Sequence, residues 1–183
     1  MDAKNITDIE LVERCLKGDT GCFEQLVSRY QGPLIRFLRM RCELADQVDD
    51  IFQETFVSAY RYLKSYNQKY AFSTWLFNIA INRIKKNIKS QLNADSIDEE
   101  EMVLTYNDNQ LDQVDLWVIA KEHLSSEQVE LLWFTLVQGY SGKEVAQILD
   151  RSLPWVKVNL LRSKQLLREI LERAGLNGIL QSS

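Results

Sequence analysis

Glycine and proline are scarce in this sequence. Its 183 residues include seven glycines and two prolines. A β protein of this length needs many tight turns, and glycine and proline are the residues that commonly form them. The sequence therefore predicts an all-α protein. Hydrophobic residues make up 45% of the chain, which is enough to build a core.

Residues that serve in catalysis and metal binding are also few. The sequence has one histidine, His123, and three cysteines, Cys15, Cys22 and Cys42, without a CxxC spacing. These are too few and too widely spaced for a zinc site or a nucleophile–base set, and no glycine-rich phosphate loop is present. We therefore expect no enzyme activity, no metal and no cofactor. The cysteines are expected to be reduced, since a redox role would need an exposed cysteine of low pKa.

Long apolar runs are absent as well. No run approaches the roughly 18 residues that a membrane-spanning helix needs. The N-terminal run MDAKNITDIE is too polar for a signal peptide. The sequence therefore predicts no membrane insertion and a cytoplasmic location.

The charged residues divide the chain into three parts. Residues 1–90 carry 14 basic and 11 acidic side chains, residues 91–115 carry eight acids and no base, and residues 116–183 carry eight bases and seven acids. The middle part is polar and shows no sustained helical stripe, which is typical of a solvated linker. We therefore predict two small helical domains joined by an acidic flexible linker. Two mildly basic modules suit a protein that meets nucleic acid at two separate places.

The first module has the pattern of four helices. Thr7 and Glu10 form a capping box at the start of the first helix, a second is predicted over about residues 20–41, and a third begins near Asp46. The side of the third helix opposite its apolar stripe carries Asp49, Asp50, Gln53 and Glu54. From the pattern alone this is a solvated acidic face near a helix N-terminus, where the helix dipole favours negative charge.

A fourth helix follows a loop at residues 66–72, with Ser73 as its predicted N-cap. Its polar side is rich in amides and cations, namely Asn78, Asn82, Arg83, Lys85, Lys86 and Lys89. The loop contributes Tyr66 and Tyr70. Cations contact phosphates and flat aromatic side chains stack on unpaired bases, so this pattern indicates nucleic-acid binding. The alternative, burial of the aromatic side chains in the core, is less convincing for the two tyrosines.

The second module has the pattern of a helix-turn-helix. Ser125 and Ser141 each begin a capping box, and a turn at residues 150–153 precedes a longer helix with Pro154 near its start. The predicted core residues of the helix after Ser125 are Val129, Leu131, Leu132, Phe134 and Leu136. The apolar side of that helix is predicted to be Val156, Leu160, Leu166, Leu167 and Leu171. Its possible DNA contacts are Lys157, Asn159, Arg162, Lys164 and Arg168. A helical hairpin with basic residues and no DNA-binding role is the alternative.

Three runs in the first module resemble region 2 of the extracytoplasmic-function (ECF) sigma factors, the promoter-recognition subunits of bacterial RNA polymerase. They are CLKGDTGCFEQLVSRY, DQVDDIFQETFVSAYRYLKSY and FSTWLFNIAIN, in the family's order and nearly at its spacings. The resemblance covers about residues 8–90. It implies that core RNA polymerase binds the acidic face with its β′ clamp helices, through Asp49, Asp50, Gln53, Glu54 and Val57. The implied contacts to −10 promoter DNA are Tyr66, Tyr70, Asn78, Asn82, Arg83, Lys85, Lys86 and Lys89.

The second module is similar to region 4 of the same family, with Ser141-x-x-Glu144-Val145-Ala146 in the short helix. The resemblance implies contacts to −35 promoter DNA by Arg151, Ser152, Trp155, Lys157, Asn159, Arg162 and Lys164. Asn159 stands where the family's pattern has arginine. Since asparagine prefers adenine and arginine prefers guanine, the −35 sequence is expected to differ from the usual one.

The resemblance further implies binding to the β flap of the polymerase and control by an anti-sigma factor. In this interpretation the chain is an ECF sigma factor that directs core polymerase to promoters, melting DNA at −10 and anchoring at −35. Two alternatives are a stand-alone helix-turn-helix regulator, which would bind duplex DNA unaided, and a helical adaptor protein, which would bind a partner without DNA.

Overall fold

The structure, a computed structural model, describes residues 6–19, 21–42, 44–94 and 111–173. These residues form α-helices and two short turns of other helix types, with no strand among them. The prediction of an all-α protein is therefore confirmed. The chain divides into two compact units, residues 1–104 and 105–183.

The predicted acidic linker, residues 91–115, lies largely outside the described residues. Residues 95–110 are not among them. The preceding helix runs to Ala94 and the following helix begins at Leu111, so helix extends into the predicted linker from both sides. The predicted domain boundaries at 1–90 and 116–183 stay a prediction.

The described part of unit 1 consists of α1 (Asp8–Leu16), α2 (Gly21–Arg41), α3 (Ala45–Arg61), a 3-10 turn (Leu63–Ser65) and α4 (Phe72–Ala94). The capping box predicted at the start of α1 is confirmed. The Thr7 hydroxyl accepts a hydrogen bond from the Glu10 amide, and the Glu10 carboxylate accepts one from the Thr7 amide. Beyond the end of α1, Gly18 adopts a φ of 100°, a left-handed conformation that glycine reaches without strain.

Aromatic contacts hold the helices of unit 1 together. Phe37 of α2 meets Phe77 of α4 edge to face, with ring centres 5.5 Å apart, and both side chains are buried. One turn or more earlier on each helix, Tyr30 packs against Phe72 at 5.4 Å. The Tyr30 hydroxyl also donates a hydrogen bond to Asp8, which fixes α1 on the same surface of α2. Edge-to-face pairs of this kind add about 0.5–1.5 kcal/mol beyond burial.

The described part of unit 2 consists of α5 (Leu111–His123), α6 (Ser126–Leu132), a π-helical turn (Trp133–Val137), α7 (Gly142–Ile148) and α8 (Leu153–Arg173). Both predicted capping boxes are confirmed, with Gln128 closing the one at Ser125 and Glu144 closing the one at Ser141. Helices α7 and α8 pack on one another across a four-residue turn. The predicted helix-turn-helix is therefore present.

Three local predictions are wrong. Helix α4 begins at Phe72, so Ser73 is an inner residue of its first turn with a buried side chain, and it is not the N-cap. Leu136 and Leu166 were expected in the core, but both are exposed. At Leu136 the π-helical turn shifts the helical register. On α8 the buried residues are Val156, Ser163, Leu167 and Leu171, and Leu166 lies outside this buried face.

None of the helices in the described ranges is both long enough and apolar enough to cross a membrane.

Candidate functional site

An exposed stripe runs along α3. Asp49, Asp50, Gln53, Glu54 and Val57 recur at steps of three and four residues, so they share one side of the helix, and all five are exposed. The opposite side is anchored in the core by Ile51, Thr55, Phe56 and Ala59. The structure thus brings together every residue that was predicted to bind polymerase. We call these five residues the α3 stripe.

An apolar groove continues the α3 stripe toward the end of the helix. It is lined by Phe23, Phe56, Val57, Tyr60 and Arg61. Val57 is 57% exposed, and the ring of Tyr60 packs against Phe23 at 5.0 Å while most of its surface faces solvent. Sequence reasoning missed Tyr60 and Phe23, because their proximity depends on how α2 packs on α3.

Arg83 of α4 connects that helix to the α3 stripe. Its Nη2 donates a hydrogen bond to the Ser58 hydroxyl at 2.7 Å, and its Nη1 lies 3.5 Å from the Glu54 carboxylate. The Ser58 hydroxyl donates in turn to the Glu54 carbonyl oxygen at 2.6 Å. Arg83 was predicted to contact DNA, but the structure places its guanidinium against α3.

The loop between the 3-10 turn and α4 differs from the prediction at Tyr66. Its side chain is only 9% exposed and packs against Phe72 and Trp75, with ring centres 5.6 and 5.4 Å away. Burial, and then the negative charge of Asp8, raise the pKa of its hydroxyl. Tyr66 is therefore largely buried, and little of its ring is available for stacking on a base. Its hydroxyl donates to the carbonyl oxygen of Tyr70 at 2.6 Å, which fixes the loop and leaves the Tyr70 side chain exposed.

A groove lies between the end of α3 and α4, and it includes two of the remaining residues predicted to contact −10 DNA. Asn82 and Lys86 line it together with Tyr62, Ser65, Trp75, Ile79, Ser58 and Arg83. The Asn82 amide donates to Asn78 one turn earlier at 3.2 Å. Lys85 and Lys89 are exposed on the same helix. We call this the α4 groove.

Tyr62 and Ser65 of the α4 groove were missed at the level of sequence. Tyr62 is exposed, and it follows directly on the last residue of α3. Three tyrosines occur between residues 60 and 66, and the pattern does not distinguish the buried one from the exposed ones. Within this group the Tyr62 side chain is exposed and its ring is available for binding, whereas the Tyr66 side chain is buried.

The helix-turn-helix of unit 2 presents cations on its outer side. Lys157, Arg162 and Lys164 of α8 are exposed, whereas Val156 of the same helix is buried. At the N-terminus of α8 the Ser152 hydroxyl accepts a hydrogen bond from the Trp155 amide at 3.3 Å. This outer side is the one that enters the major groove in helix-turn-helix proteins.

Arg151 and Asn159, two further predicted −35 contacts, also have partners within unit 2. Arg151 forms an ion pair with Glu127, and its guanidinium lies 5.3 Å from the ring centre of Trp155. The Asn159 amide nitrogen donates to the Trp155 carbonyl oxygen at 2.9 Å. Arg151 therefore braces Trp155 and the turn, and one amide hydrogen of Asn159 is engaged within the helix.

No cluster of three His, Cys, Asp or Glu side chains that could hold a metal ion occurs within the described ranges. The two units instead offer extended charged and apolar surfaces. Such surfaces are suited to binding macromolecules.

Comparison with known proteins identifies the family. The family model of sigma-70 region 2 matches residues 26–93, which include most of α2, all of α3 and nearly all of α4. The ECF RNA polymerase sigma-E factor of Escherichia coli K12 is 30% identical over 89% of this chain and 93% of its own length. This chain belongs to the ECF RNA polymerase sigma factors. The sigma-E factor of Haemophilus influenzae is similar at 29% identity, over 93% of this chain and 98% of its own length.

Solved structures support the fold of this ECF sigma factor. The structure of CnrH in complex with the cytosolic domain of CnrY has a TM-score of 0.70 and 23% identity, and it covers 91% of this chain and 97% of that one. RpoE in complex with the anti-sigma factor NepR, from Bartonella quintana, also has a TM-score of 0.70, at 21% identity, covering 82% of this chain and 96% of that one. The resemblance noted in the sequence is therefore confirmed for the family and the fold.

Proposed function

We propose that this ECF sigma factor binds core RNA polymerase through the α3 stripe and directs it to promoters that it reads with the α4 groove and with α8. The observation that carries the proposal is the layout of unit 1. Helix α3 presents an exposed acidic and apolar stripe, and α4 presents amides and cations around a groove that Tyr62 also lines. These surfaces suit two different partners, one protein and one nucleic acid.

The α3 stripe has the composition of a protein-binding surface. Four polar residues lie next to an exposed Val57 and the apolar groove formed with Phe23 and Tyr60. Charged groups at the rim speed and orient association, and the apolar centre contributes affinity. The β′ clamp helices of the polymerase are the proposed partner at this stripe, and the β flap is the proposed partner of unit 2.

The α4 groove is proposed to hold the −10 element after its strands separate. Tyr62 and Trp75 offer aromatic surface, Asn82 offers a hydrogen-bonding amide, and Lys86 offers a charge for phosphate. Stacking on an aromatic side chain contributes about 1–3 kcal/mol per base. Tyr70, Asn78, Lys85 and Lys89 do not line the groove and are proposed to contact the same strand beyond it. Helix α8 is proposed to enter the major groove at −35.

The two DNA contacts act together because one chain carries both. Binding of one unit raises the effective concentration of the other at its site. The polymerase supplies the catalytic groups, and the sigma factor supplies only binding surfaces, so we place the chain in the cytoplasm with the polymerase. We also propose regulation by an anti-sigma factor, because the structurally similar RpoE is complexed with one.

The test is run-off transcription with purified core polymerase and a pool of genomic fragments, with and without this protein. New transcripts that depend on the protein support the proposal, and alignment of their upstream sequences gives the −10 and −35 elements. Absence of transcripts and of co-elution with core polymerase would contradict it. A stand-alone regulator or a helical adaptor would give that second result, but family membership argues against both.

A further inference from the structure

Two large apolar side chains lie exposed on the outer side of α8. Val158 is 48% exposed and Leu161 is 71% exposed. With about 100° of rotation per residue, Val158 lies about 200° from the buried Val156, and Leu161 lies about 200° from the buried Ser163. Both therefore point away from the helices on which α8 packs. They are three residues apart and so form one continuous apolar surface.

Cations surround this apolar pair. Lys157 precedes Val158, Arg162 follows Leu161, and Lys164 is also exposed. This arrangement is complementary to duplex DNA, where an apolar group on a base edge lies deep in the major groove and phosphates lie along its rims. A protein partner that covered the apolar pair would have to leave these cations in water or supply an acidic side chain for each of them.

Two polar residues nearby, Arg151 and Asn159, are less free to read bases. Arg151 is held by Glu127 and Trp155, and one amide hydrogen of Asn159 is bonded to the Trp155 carbonyl oxygen. The amide oxygen and the second amide hydrogen of Asn159 are left for a two-bond contact with adenine, but the bond to Trp155 restrains the orientation of the amide. Val158 and Leu161 extend from the same stretch of α8 with no such restraint.

We propose that Val158 and Leu161 determine −35 specificity by contacting the 5-methyl groups of thymines in the major groove. The inference rests on the proposed function, because it requires that α8 binds promoter DNA. Thymine is the base that presents a methyl group in this groove, and aliphatic side chains are its usual protein contacts. The protein therefore recognises the −35 sequence in part through its thymine methyl groups. Thymines face this segment of the helix.

The experiment uses polymerase holoenzyme formed with the full-length protein and a promoter found by run-off transcription. Each thymine of the −35 region is replaced in turn by deoxyuridine, which removes only the methyl group. The dissociation constant is then measured by competition. Burial of one methyl group corresponds to about a fourfold change in affinity. We expect at least one replacement to weaken binding by about that factor.

Protein variants connect the effect to the two side chains. Val158→Ala and Leu161→Ala shorten exposed residues without disturbing the core, and alanine favours the helix. We expect the double variant to bind thymine and deoxyuridine promoters with equal affinity. The matched control is Val118→Ala on α5, where an equally exposed valine is truncated, and it should retain the fourfold preference.

Three results would overturn the inference. The first is equal affinity of the wild-type holoenzyme for every thymine and deoxyuridine promoter. The second is an undiminished preference in the double variant. The third is a loss of affinity for core polymerase in that variant, which would make the apolar pair a polymerase contact. Failure of the proposed function is distinguishable, because the wild-type protein would then direct no transcription at all.

Discussion

The guanidinium of Arg83 on α4 faces the carboxylate of Glu54 on α3, with Nη1 3.5 Å from Oε2. The Ser58 hydroxyl completes the arrangement by accepting a hydrogen bond from Nη2. Glu54 belongs to the α3 stripe and Arg83 lines the α4 groove. The proposed polymerase surface and the proposed −10 surface are therefore joined by one side chain.

This arrangement predicts different effects at two neighbouring cations. Lys86→Gln should lower the slope of log affinity for promoter DNA against log salt by about 0.7–0.9, because one phosphate contact is lost. Arg83→Met should leave that slope unchanged, since its charge is directed toward α3. Holoenzyme binding to a promoter fragment at four salt concentrations would measure both slopes. A reduced slope for Arg83→Met would show that Arg83 also contacts phosphate.

The same substitution should destabilise unit 1. The hydrogen bond to Ser58 is worth about 0.5–1.5 kcal/mol, and the solvent-screened pair with Glu54 adds at most a few tenths. We expect Arg83→Met to lower the free energy of unfolding by about 1 kcal/mol in urea denaturation. Arg83→Lys is the matched control, because it keeps the charge near Glu54 without the forked geometry. Equal stability of wild type and Arg83→Met would contradict the assignment of Arg83 as a link between helices.

The pairing of Arg83 with Glu54 and Ser58 shows what the sequence pattern does not predict. Capping boxes at Thr7, Ser125 and Ser141 were predicted correctly because a cap depends on residues three positions apart. The partner of Arg83 is 25 residues away in sequence and becomes its neighbour only when α3 and α4 pack. Helix positions and amphipathic faces follow from periodicity, whereas side-chain partners across helices do not.

The same limit applies to exposure. Tyr66 was expected to be available for stacking, but Phe72 and Trp75 enclose it, and the exposed Tyr62 was overlooked. A tyrosine that follows a helix fits the same sequence pattern whether its side chain is buried or exposed, so the pattern does not distinguish Tyr66 from Tyr62. The α3 stripe was predicted in full because four of its five residues are polar and rarely buried without a partner. The fifth, Val57, came from the family resemblance.

Neutralising the α3 stripe should weaken binding to core polymerase. Asp49→Asn and Asp50→Asn together remove two exposed charges from the stripe. Exposed ion pairs contribute about 0.2–1 kcal/mol each, so the dissociation constant should rise about two- to thirtyfold at low salt. The difference should shrink as salt is added, because screening weakens such pairs. Fluorescence anisotropy of labelled protein with core polymerase would measure it.

The control for this experiment is Glu24→Gln, which removes an exposed charge on α2. It changes the net charge without touching the α3 stripe, so it should bind as the wild type does. If Glu24→Gln weakens binding as much per charge as the two aspartate substitutions, the effect belongs to overall charge and the stripe is not the polymerase surface.

The capping box at Ser141 should stabilise α7 of the helix-turn-helix. The Ser141 amide donates to Glu144 Oε2 at 2.7 Å, and the serine hydroxyl accepts from the Glu144 amide. Ser141→Ala should lower the free energy of unfolding of unit 2 by about 1 kcal/mol. Ser141→Thr retains a capping hydroxyl and should be close to wild type. Thermal unfolding of both variants would measure the difference, and an unchanged alanine variant would contradict the role of the cap.

Cys22 should make unit 1 less stable at alkaline pH. Its side chain is fully buried, and its thiol donates to the Asp19 carboxylate at 3.1 Å. Burial, and then this hydrogen bond, raise the pKa of the thiol. Above the ordinary cysteine pKa of about 8.5, the unfolded chain loses a proton that the folded chain keeps. The unfolded state then binds fewer protons, so the free energy of unfolding falls as pH rises from about 8.5.

Urea denaturation at pH 7.5 and pH 9.5 tests this sign. Cys22→Ser removes the titrating thiol while retaining a donor for Asp19, so its loss of stability between the two pH values should be smaller than that of the wild type. A residual loss is expected from Cys15 and Tyr66, because burial raises the pKa of both side chains as well. If Cys22→Ser loses as much stability as the wild type, the buried thiol is not the group that titrates. The loss of stability of unit 1 at high pH would then be due to Cys15 and Tyr66, since the folded state raises the pKa of these two side chains as well.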